Sequence, residues 1–185
     1  MGKNNCSDNE MYEQTLSEEM IFEGKVFTCV TRNVKLTDGS ESIREVVIHT
    51  GGACILPVDS DLNCYLVRQY RSGAGEIMLE VPAGKIEPGE EPVKCAIREL
   101  KEETGFVADK VESLGVNVAT PAYCSERIHM FMATGLEYAG AEPEVHEFLG
   151  LQKIPLTTLV EMCDKGEIKD SKTVISIYKA SRRLL

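Results

Sequence analysis

The sequence lacks any long apolar run: no stretch approaches the roughly 18 consecutive apolar residues that a membrane-spanning helix requires. The N-terminal segment MGKNNCSDNEMYEQ is polar and has no apolar core of the kind found in signal peptides. Gly2 follows Met1, but the next residues do not match the M-G-x-x-x-S/T pattern of myristoylation. We therefore expect a protein without a membrane partner.

Cysteine pairs with the spacing of a metal or redox motif are also missing. There is no C-x2-C pair, and no cysteine stands near a histidine at zinc-site spacing. The odd number and even scatter of the seven cysteines suit reduced thiols and predict a cytoplasmic protein. No Cys/His arrangement surrounds Cys124, so a catalytic role for this cysteine is not expected.

Positive charge is scarce. The chain has 20 Lys and Arg residues against 30 Asp and Glu residues, which gives a formal net charge of −10 at pH 7. This balance argues against general nucleic-acid binding. An anionic substrate would have to be attracted by local arginines and metal rather than by the overall field.

The most informative segment present is Gly84–Phe106, GKIEPGEEPVKCAIRELKEETGF. It fits the pattern G-x5-E-x7-R-E-U-x-E-E-x-G-U, where U is a bulky apolar residue. At background usage, a chance match at a given start is on the order of 1 in 10^8 or rarer. The defined positions are filled by Gly84, Glu90, Arg98, Glu99, Leu100, Glu102, Glu103, Gly105 and Phe106.

The segment predicts a helix between two loops. Pro92 suits a first helical turn, and Gly105 stands where a helix stop is expected. Apolar residues at i, i+3, i+4 and i+7 predict one buried face. That face comprises Val93, Ala96, Ile97 and Leu100.

Three carboxylates cluster beside this face, at the C-terminal end of the helix: Glu99, Glu102 and Glu103. Acids there oppose the helix dipole and repel one another. A solvated acidic helix face is the usual explanation of such a run. A hard divalent cation would reverse the penalty, because Mg2+ binds carboxylate oxygens and clamps pyrophosphates.

The segment resembles the Nudix box, the signature of hydrolases that cleave a nucleoside diphosphate linked to another group. The resemblance implies Mg2+, or Mn2+, held by Glu99, Glu102 and Glu103 and by the backbone carbonyl of Ala83. It implies a catalytic part for Glu102, and bracing of the loop and helix by an ion pair between Arg98 and Glu90. Gly84 and Gly105 would be structural.

The resemblance extends to the ADP-ribose pyrophosphatase branch through LVRQYRSGAGEIMLEVPAGKIEPGEE (Leu66–Glu91). That branch places a proline 16 residues beyond the last glycine of the box, and here this residue is Pro121. The implied reaction is hydrolysis of ADP-ribose to AMP and ribose 5-phosphate. Residues expected to bind the substrate are Arg71 first, then Arg68, Arg44 and Pro121.

Related enzymes usually need one further carboxylate on a loop after the last core strand. The matching region here is EYAGAEPEVHEFLG (Glu137–Gly150). The resemblance favours Glu147 as a metal ligand and Glu144 as a general base. The loop is less acidic than is typical, and His146, between the two, is read as a bystander.

Patterns along the chain predict a flexible N-terminus (1–18), a small β lobe (19–50) and a hydrolase domain (51–185). Asp38-Gly39 between two alternating runs predicts a hairpin in the lobe. Strands, one helix, strands and two helices predict an α+β protein, an α/β/α sandwich with a mixed sheet, which agrees with the Nudix fold. The resemblance implies a homodimer, and the hairpin is apolar enough to need a partner through Ile21, Phe22, Val26, Phe27 and Val30.

Two other functions stay open. The box specifies the bond that is cleaved and not the group that is discarded, so the substrate could be GDP-mannose, ADP-glucose or another nucleoside diphosphate sugar. A sensor that binds ADP-ribose without cleaving it belongs to a different class. Retention of the three box glutamates and the lack of a basic DNA-binding helix argue against the sensor.

Overall fold

The computed structural model describes residues 11–141 and 150–185, which form two compact units. Of the described residues, the first unit holds 11–50 and 120–126, and the second holds 51–119, 127–141 and 150–185. No helix in this part of the chain is long and apolar enough to cross a membrane.

The first unit contains an antiparallel sheet of β1 (Gln14–Glu23), β2 (Thr28–Lys35) and β3 (Glu41–Ile48), in that order. Strands β2 and β3 form the hairpin predicted around Asp38-Gly39. Strand β1 was not predicted as separate, and its first five residues fall in the segment 1–18 that we expected to be flexible. All ten residues of β1 are exposed, so its sequence lacks the alternation by which half-buried strands are recognised.

The second unit contains seven strands and three helices among its described residues. The strands are β4 (Gly52–Pro57), β5 (Asn63–Arg71), β6 (Glu76–Glu80), β7 (Ala83–Lys85), β8 (Phe106–Asn117), β9 (Ile128–Tyr138) and β10 (Gly150–Pro155). The helices are α1 (Pro92–Thr104), α2 (Leu156–Asp164) and α3 (Ser171–Leu184).

The central sheet of this unit has the order β7-β4-β9-β8 and is mixed, because β4 runs parallel to β9 and antiparallel to β7. Strand β4 is buried along its whole length, as expected for a strand covered on both faces. Ala53 and Ile55 pack with Ala96 and Leu100 of α1. On the opposite face, the core includes Cys54, Leu56, Leu156, Leu159 and Ile177. The predicted α/β/α sandwich is therefore confirmed.

A second sheet of the unit, β10-β5-β6, carries Arg68 and Arg71, two of the arginines that the sequence singled out. Strand β5 pairs antiparallel with both neighbours. Strand β6 leads through Val81 and Pro82 into β7, where the glycine-rich start of the box lies. This short connection places the end of β6 and the start of the box close together along the chain.

Candidate active site

Helix α1 has the bounds that its sequence predicts. Pro92 is its first residue, and Gly105 ends it in the left-handed conformation with φ +75°. A Cβ at Gly105 would lie 2.6 Å from the backbone nitrogen of Ala141, so no larger residue fits without a shift. One detail of the predicted apolar face was wrong: Ile97 is exposed, and Cys95 is buried instead.

Arg98 holds the charged face of α1 together. Its Nε lies 3.0 Å from Glu90 Oε1, and its Nη1 lies 2.6 Å from Glu99 Oε1 and 2.9 Å from Glu102 Oε2. The hydrogen bond from Arg98 holds the pKa of Glu90 below its usual range. Arg98 thus links the loop before the helix to two carboxylates on the helix itself.

The carboxylates of Glu99 and Glu103 are buried against strand β7. A Cβ built on Gly84 would lie 1.7 Å from Glu99 Oε1, so this carboxylate fills the space that any other residue type would occupy. The backbone N–H of Ala83 donates to Glu103 Oε2 at 3.2 Å. Buried carboxylates are costly unless they are paired, and here the two lie against adjacent residues of one strand, Glu99 at Gly84 and Glu103 at Ala83.

A cavity of about 430 Å³ opens beside this strand. The cavity lies between the start of the box, helix α1 and the end of β5. Its lining residues are Arg71, Ala83, Gly84, Lys85, Ile86, Glu87, Pro88, Arg98 and Glu99. A cationic side chain and box carboxylates therefore share one cavity.

The two arginines of RQYR lie in different places. They are three residues apart on β5, and side chains at odd separations in a strand point to opposite faces. Arg71 lines the carboxylate cavity, whereas Arg68 lines a separate cavity with Tyr70 and Ile77. The sequence treated both as substrate-binding candidates; the structure brings Arg71 to the box carboxylates.

Arg44 and Pro121 lie in the first unit. The guanidinium of Arg44 pairs with Glu13, with Nη2–Oε1 and Nε–Oε2 distances of 2.5 Å and 3.0 Å. Their roles with substrate remain predictions. Glu144 and Glu147, the candidates for base and further metal ligand, lie outside the described residues.

The donor atoms of the site suit a hard cation. They are carboxylate and backbone oxygens, the ligands that Mg2+ prefers. Glu99 Oε1 and Glu102 Oε2 already converge on one cationic nitrogen, Nη1 of Arg98. Within residues 11–141 and 150–185, no group of three or more His, Cys, Asp or Glu side chains converges to hold a metal. The side chains present therefore match a hard cation in donor chemistry but are not gathered into a three-residue ligand cluster.

The sequence analysis missed two charged residues next to this cavity, Glu80 and Lys172. Both are buried, at 1% and 9% exposure, and Glu80 pairs with Arg71. Glu80 does fall within the segment whose sequence resembled the ADP-ribose pyrophosphatase branch. Lys172 carries no local signal, because 92 residues separate it from its partner Glu80.

Comparisons with known proteins give matches over most of the chain. A sequence model of the NUDIX domain matches residues 48–175. The chain is 34% identical over 167 residues to an ADP-ribose pyrophosphatase of Bacillus subtilis, an alignment that covers 89% of this chain and 90% of that protein. It is 35% identical over 169 residues to a methanol dehydrogenase activator of Bacillus methanolicus, with coverage of 89% and 90%.

The fold is similar to that in the crystal structure of an ADP compounds hydrolase. The TM-score is 0.84 at 24% sequence identity, over 96% of this chain and 97% of the other. The predicted fold is thus found again in a solved structure.

Proposed function

The chain belongs to the Nudix family of hydrolases, and from that premise we propose that it hydrolyses the pyrophosphate bond of ADP-ribose to AMP and ribose 5-phosphate. The observation that carries the proposal is the cavity that Arg71 lines together with Glu99 and the residues of strand β7. An arginine fork binds phosphate oxygens, and the carboxylates provide the ligands of a divalent cation.

Glu99, Glu103 and the backbone carbonyl of Ala83 would hold Mg2+, with Glu147 as a further ligand. When bound, the cation would neutralise the negative charge that develops on the pyrophosphate oxygens. Arg71 donates hydrogen bonds to the diphosphate and orients it in the cavity. Arg98 keeps Glu99 and Glu102 fixed on the helix through its two short contacts. Glu144 is proposed as the base that takes a proton from the attacking water.

Product analysis tests the reaction. Purified protein is incubated with Mg2+ and ADP-ribose, with GDP-mannose, ADP-glucose and NADH in parallel. Rapid formation of AMP and ribose 5-phosphate from ADP-ribose is the expected result. Faster turnover of another compound would keep the hydrolase and replace the substrate. Tight binding of ADP-ribose without cleavage would instead support a sensor.

We further propose that the protein is a cytoplasmic homodimer. The apolar residues Ile21, Phe22, Val26 and Phe27 are 41–60% exposed in the first unit, whereas Val30, which the sequence had grouped with them, is buried. Exposed apolar side chains that stand together favour a protein partner. Light scattering after size exclusion should give twice the chain mass of 20.4 kDa. Phe22→Ser should shift the equilibrium toward monomer, and Val116→Ser, at an exposed apolar residue of β8, should not.

A further inference from the structure

Arg71, which lines the cavity, forms an ion pair with the buried carboxylate of Glu80. Glu80 is the last residue of β6 and is 1% exposed. Its Oε1 lies 2.8 Å from Arg71 Nε, and its Oε2 lies 2.8 Å from Arg71 Nη2. Two parallel contacts of this kind fix the plane of the guanidinium as well as its position.

The same carboxylate is held from the other side by the C-terminal helix. Lys172 Nζ, in the first turn of α3, lies 2.5 Å from Glu80 Oε2 and 3.0 Å from Asp170 Oδ1. Asp170 caps α3 by accepting the backbone N–H of Thr173. Thr173 Oγ1 in turn accepts the backbone N–H of Val81, the residue after Glu80. Helix α3 is therefore bonded to the end of β6 at two adjacent residues.

This arrangement balances two positive and two negative charges around the buried carboxylate of Glu80. Arg71 and Lys172 are cationic, and Glu80 and Asp170 are anionic. Burial alone would raise the pKa of Glu80, but the hydrogen bonds from Arg71 and the charge of Lys172 outweigh it and lower that pKa. A buried pair is weak evidence for stability, since apolar residues often serve as well. The position of this pair next to a cavity calls for another explanation.

The geometry of Arg71 supplies that explanation. Glu80 binds Nε and Nη2, one edge of the fork, and the side chain stays 39% exposed where it lines the cavity. Nη1 makes no hydrogen bond with any described residue. An arginine held on one edge in this way presents its remaining donors in a fixed direction, at little further cost in side-chain entropy.

We propose that Glu80 is a positioning residue that orients Arg71 toward the diphosphate of the substrate, and that Lys172 fixes Glu80 from helix α3. This inference rests on the proposed function, in which Arg71 contacts the substrate. It assigns the start of the C-terminal helix a part in substrate binding, although no residue of that helix lines the cavity.

The first test is Glu80→Gln, which keeps the shape of the side chain and removes its charge. We expect KM for ADP-ribose to rise about tenfold while kcat changes less than about threefold, because Arg71 contributes to binding before the chemical step. Glu76→Gln is the matched control. Glu76 stands on the same strand and pairs with Lys169 at 2.8 Å on the surface, so its loss should leave both constants unchanged. Unchanged KM in a folded Glu80→Gln protein would overturn the proposal.

The second test asks whether Glu80 acts through Arg71. Arg71→Ala alone and the Arg71→Ala/Glu80→Gln double variant should have the same KM, because Glu80 has nothing left to orient. If the two changes instead multiply, Glu80 acts on its own and the proposal is wrong.

A third variant separates positioning from charge balance. Glu80→Gln/Lys172→Met removes one charge of each sign and should recover much of the thermal stability lost in Glu80→Gln. KM should stay raised, since Arg71 still lacks its anionic partner. Recovery of KM together with stability would mean that Glu80 only balances charge. This double variant also carries the test if Glu80→Gln alone does not fold.

Failure of the proposed function is distinguishable from failure of this inference. If the unaltered protein does not cleave ADP-ribose, the substrate assignment fails. The same variants are then compared with whichever of GDP-mannose or ADP-glucose the protein cleaves, or by calorimetric binding of ADP-ribose if it cleaves neither. Equal values for Glu80→Gln and the unaltered protein in that measurement overturn the positioning role.

Discussion

Helices α1 and α3 have nearly the same length, 13 and 14 residues, but their charges are arranged in opposite ways along the backbone dipole. Helix α3 begins with Asp170 as a side-chain cap and ends with Arg182 and Arg183 in its last turn. Both features stabilise a helix, because anions favour its N-terminus and cations its C-terminus. The sequence of α3 thus supports its own conformation.

Helix α1 has weaker support of this kind. Lys101 stands favourably in its last turn, but its N-cap residue Glu91 makes no side-chain cap hydrogen bond. Its acids are placed toward the other end, at Glu99, Glu102 and Glu103, where the dipole disfavours them. The helix persists through the buried face that includes Ala96 and Leu100 and through the contacts of Arg98 with its neighbours.

The difference marks α1 as the helix in which the proposed function opposes stability. In α3, charge placement and fold agree, whereas in α1 the packing must outweigh an unfavourable charge placement. Functional sites are where local rules are expected to fail, because binding and catalysis require residues that the fold alone would not favour. Substitutions in the two helices should therefore separate activity from stability.

The largest expected effect is at the acids near the C-terminal end of α1. Glu103→Gln should lower kcat for ADP-ribose by a few orders of magnitude, about 3–5 kcal/mol of transition-state stabilisation. Without metal, the free energy of unfolding should stay the same or rise by up to about 0.5 kcal/mol, because a charge at the negative end of the dipole is lost. Steady-state kinetics and thermal unfolding in EDTA measure the two effects.

The control for this change is Glu161→Gln, at an exposed acid of helix α2 that pairs only loosely with Lys165. It should leave kcat and stability unaltered. Full activity of Glu103→Gln would remove this carboxylate from the mechanism, and a large loss of stability would mean that α1 is not at odds with its acids.

A smaller loss is expected at Gly84. In Gly84→Ala the new Cβ would meet the end of the Glu99 side chain at 1.7 Å. The carboxylate can swing away, so the fold should lose less than about 1.5 kcal/mol. The displaced oxygen no longer serves the site, and kcat should fall about 10- to 100-fold.

Gly73→Ala is the matched control, because a Cβ there has no neighbour within 4 Å. It should be silent in both activity and stability. Loss of stability without loss of activity in Gly84→Ala would contradict the view that this glycine exists to admit Glu99.

Some elements of the fold can be predicted from the sequence, and others cannot. The bounds of α1 follow from Pro92 and Gly105, and the β2–β3 hairpin follows from Asp38-Gly39, because each signal is local. Strand β1 is fully exposed and has no periodic signal. Its pairing with β2 could not be anticipated from alternation.

The site divides in the same way. The box glutamates and Arg98 are neighbours along one helix, so their spacing predicts that they cluster. The partnership of Glu80 with Lys172 joins residues 92 positions apart, and each looks like an ordinary surface charge in its own segment. Likewise, only the strand geometry shows that Arg71 lines the carboxylate cavity whereas Arg68 does not.

The N-caps of the two helices give a further prediction. Asp170→Ala removes the cap of α3 and a partner of Lys172, and should lower the free energy of unfolding by about 1–2 kcal/mol. Glu91→Ala, at the N-cap of α1, removes no cap bond and should change it by less than about 0.5 kcal/mol. Chemical denaturation measures both. Equal losses would show that the two N-termini do not differ as described.

The smallest expected effect concerns the cation that would reconcile α1 with its acids. Mg2+ at three times its dissociation constant should stabilise the protein by about 0.8 kcal/mol, a rise in Tm of about 2–3 °C for a chain of this size. Glu99→Gln should lose this shift, and Glu161→Gln should keep it, because only Glu99 belongs to the proposed ligand set. Thermal unfolding with and without Mg2+ gives the comparison. An equal shift in both variants would show that the stabilising ion binds elsewhere and does not offset the acids of α1.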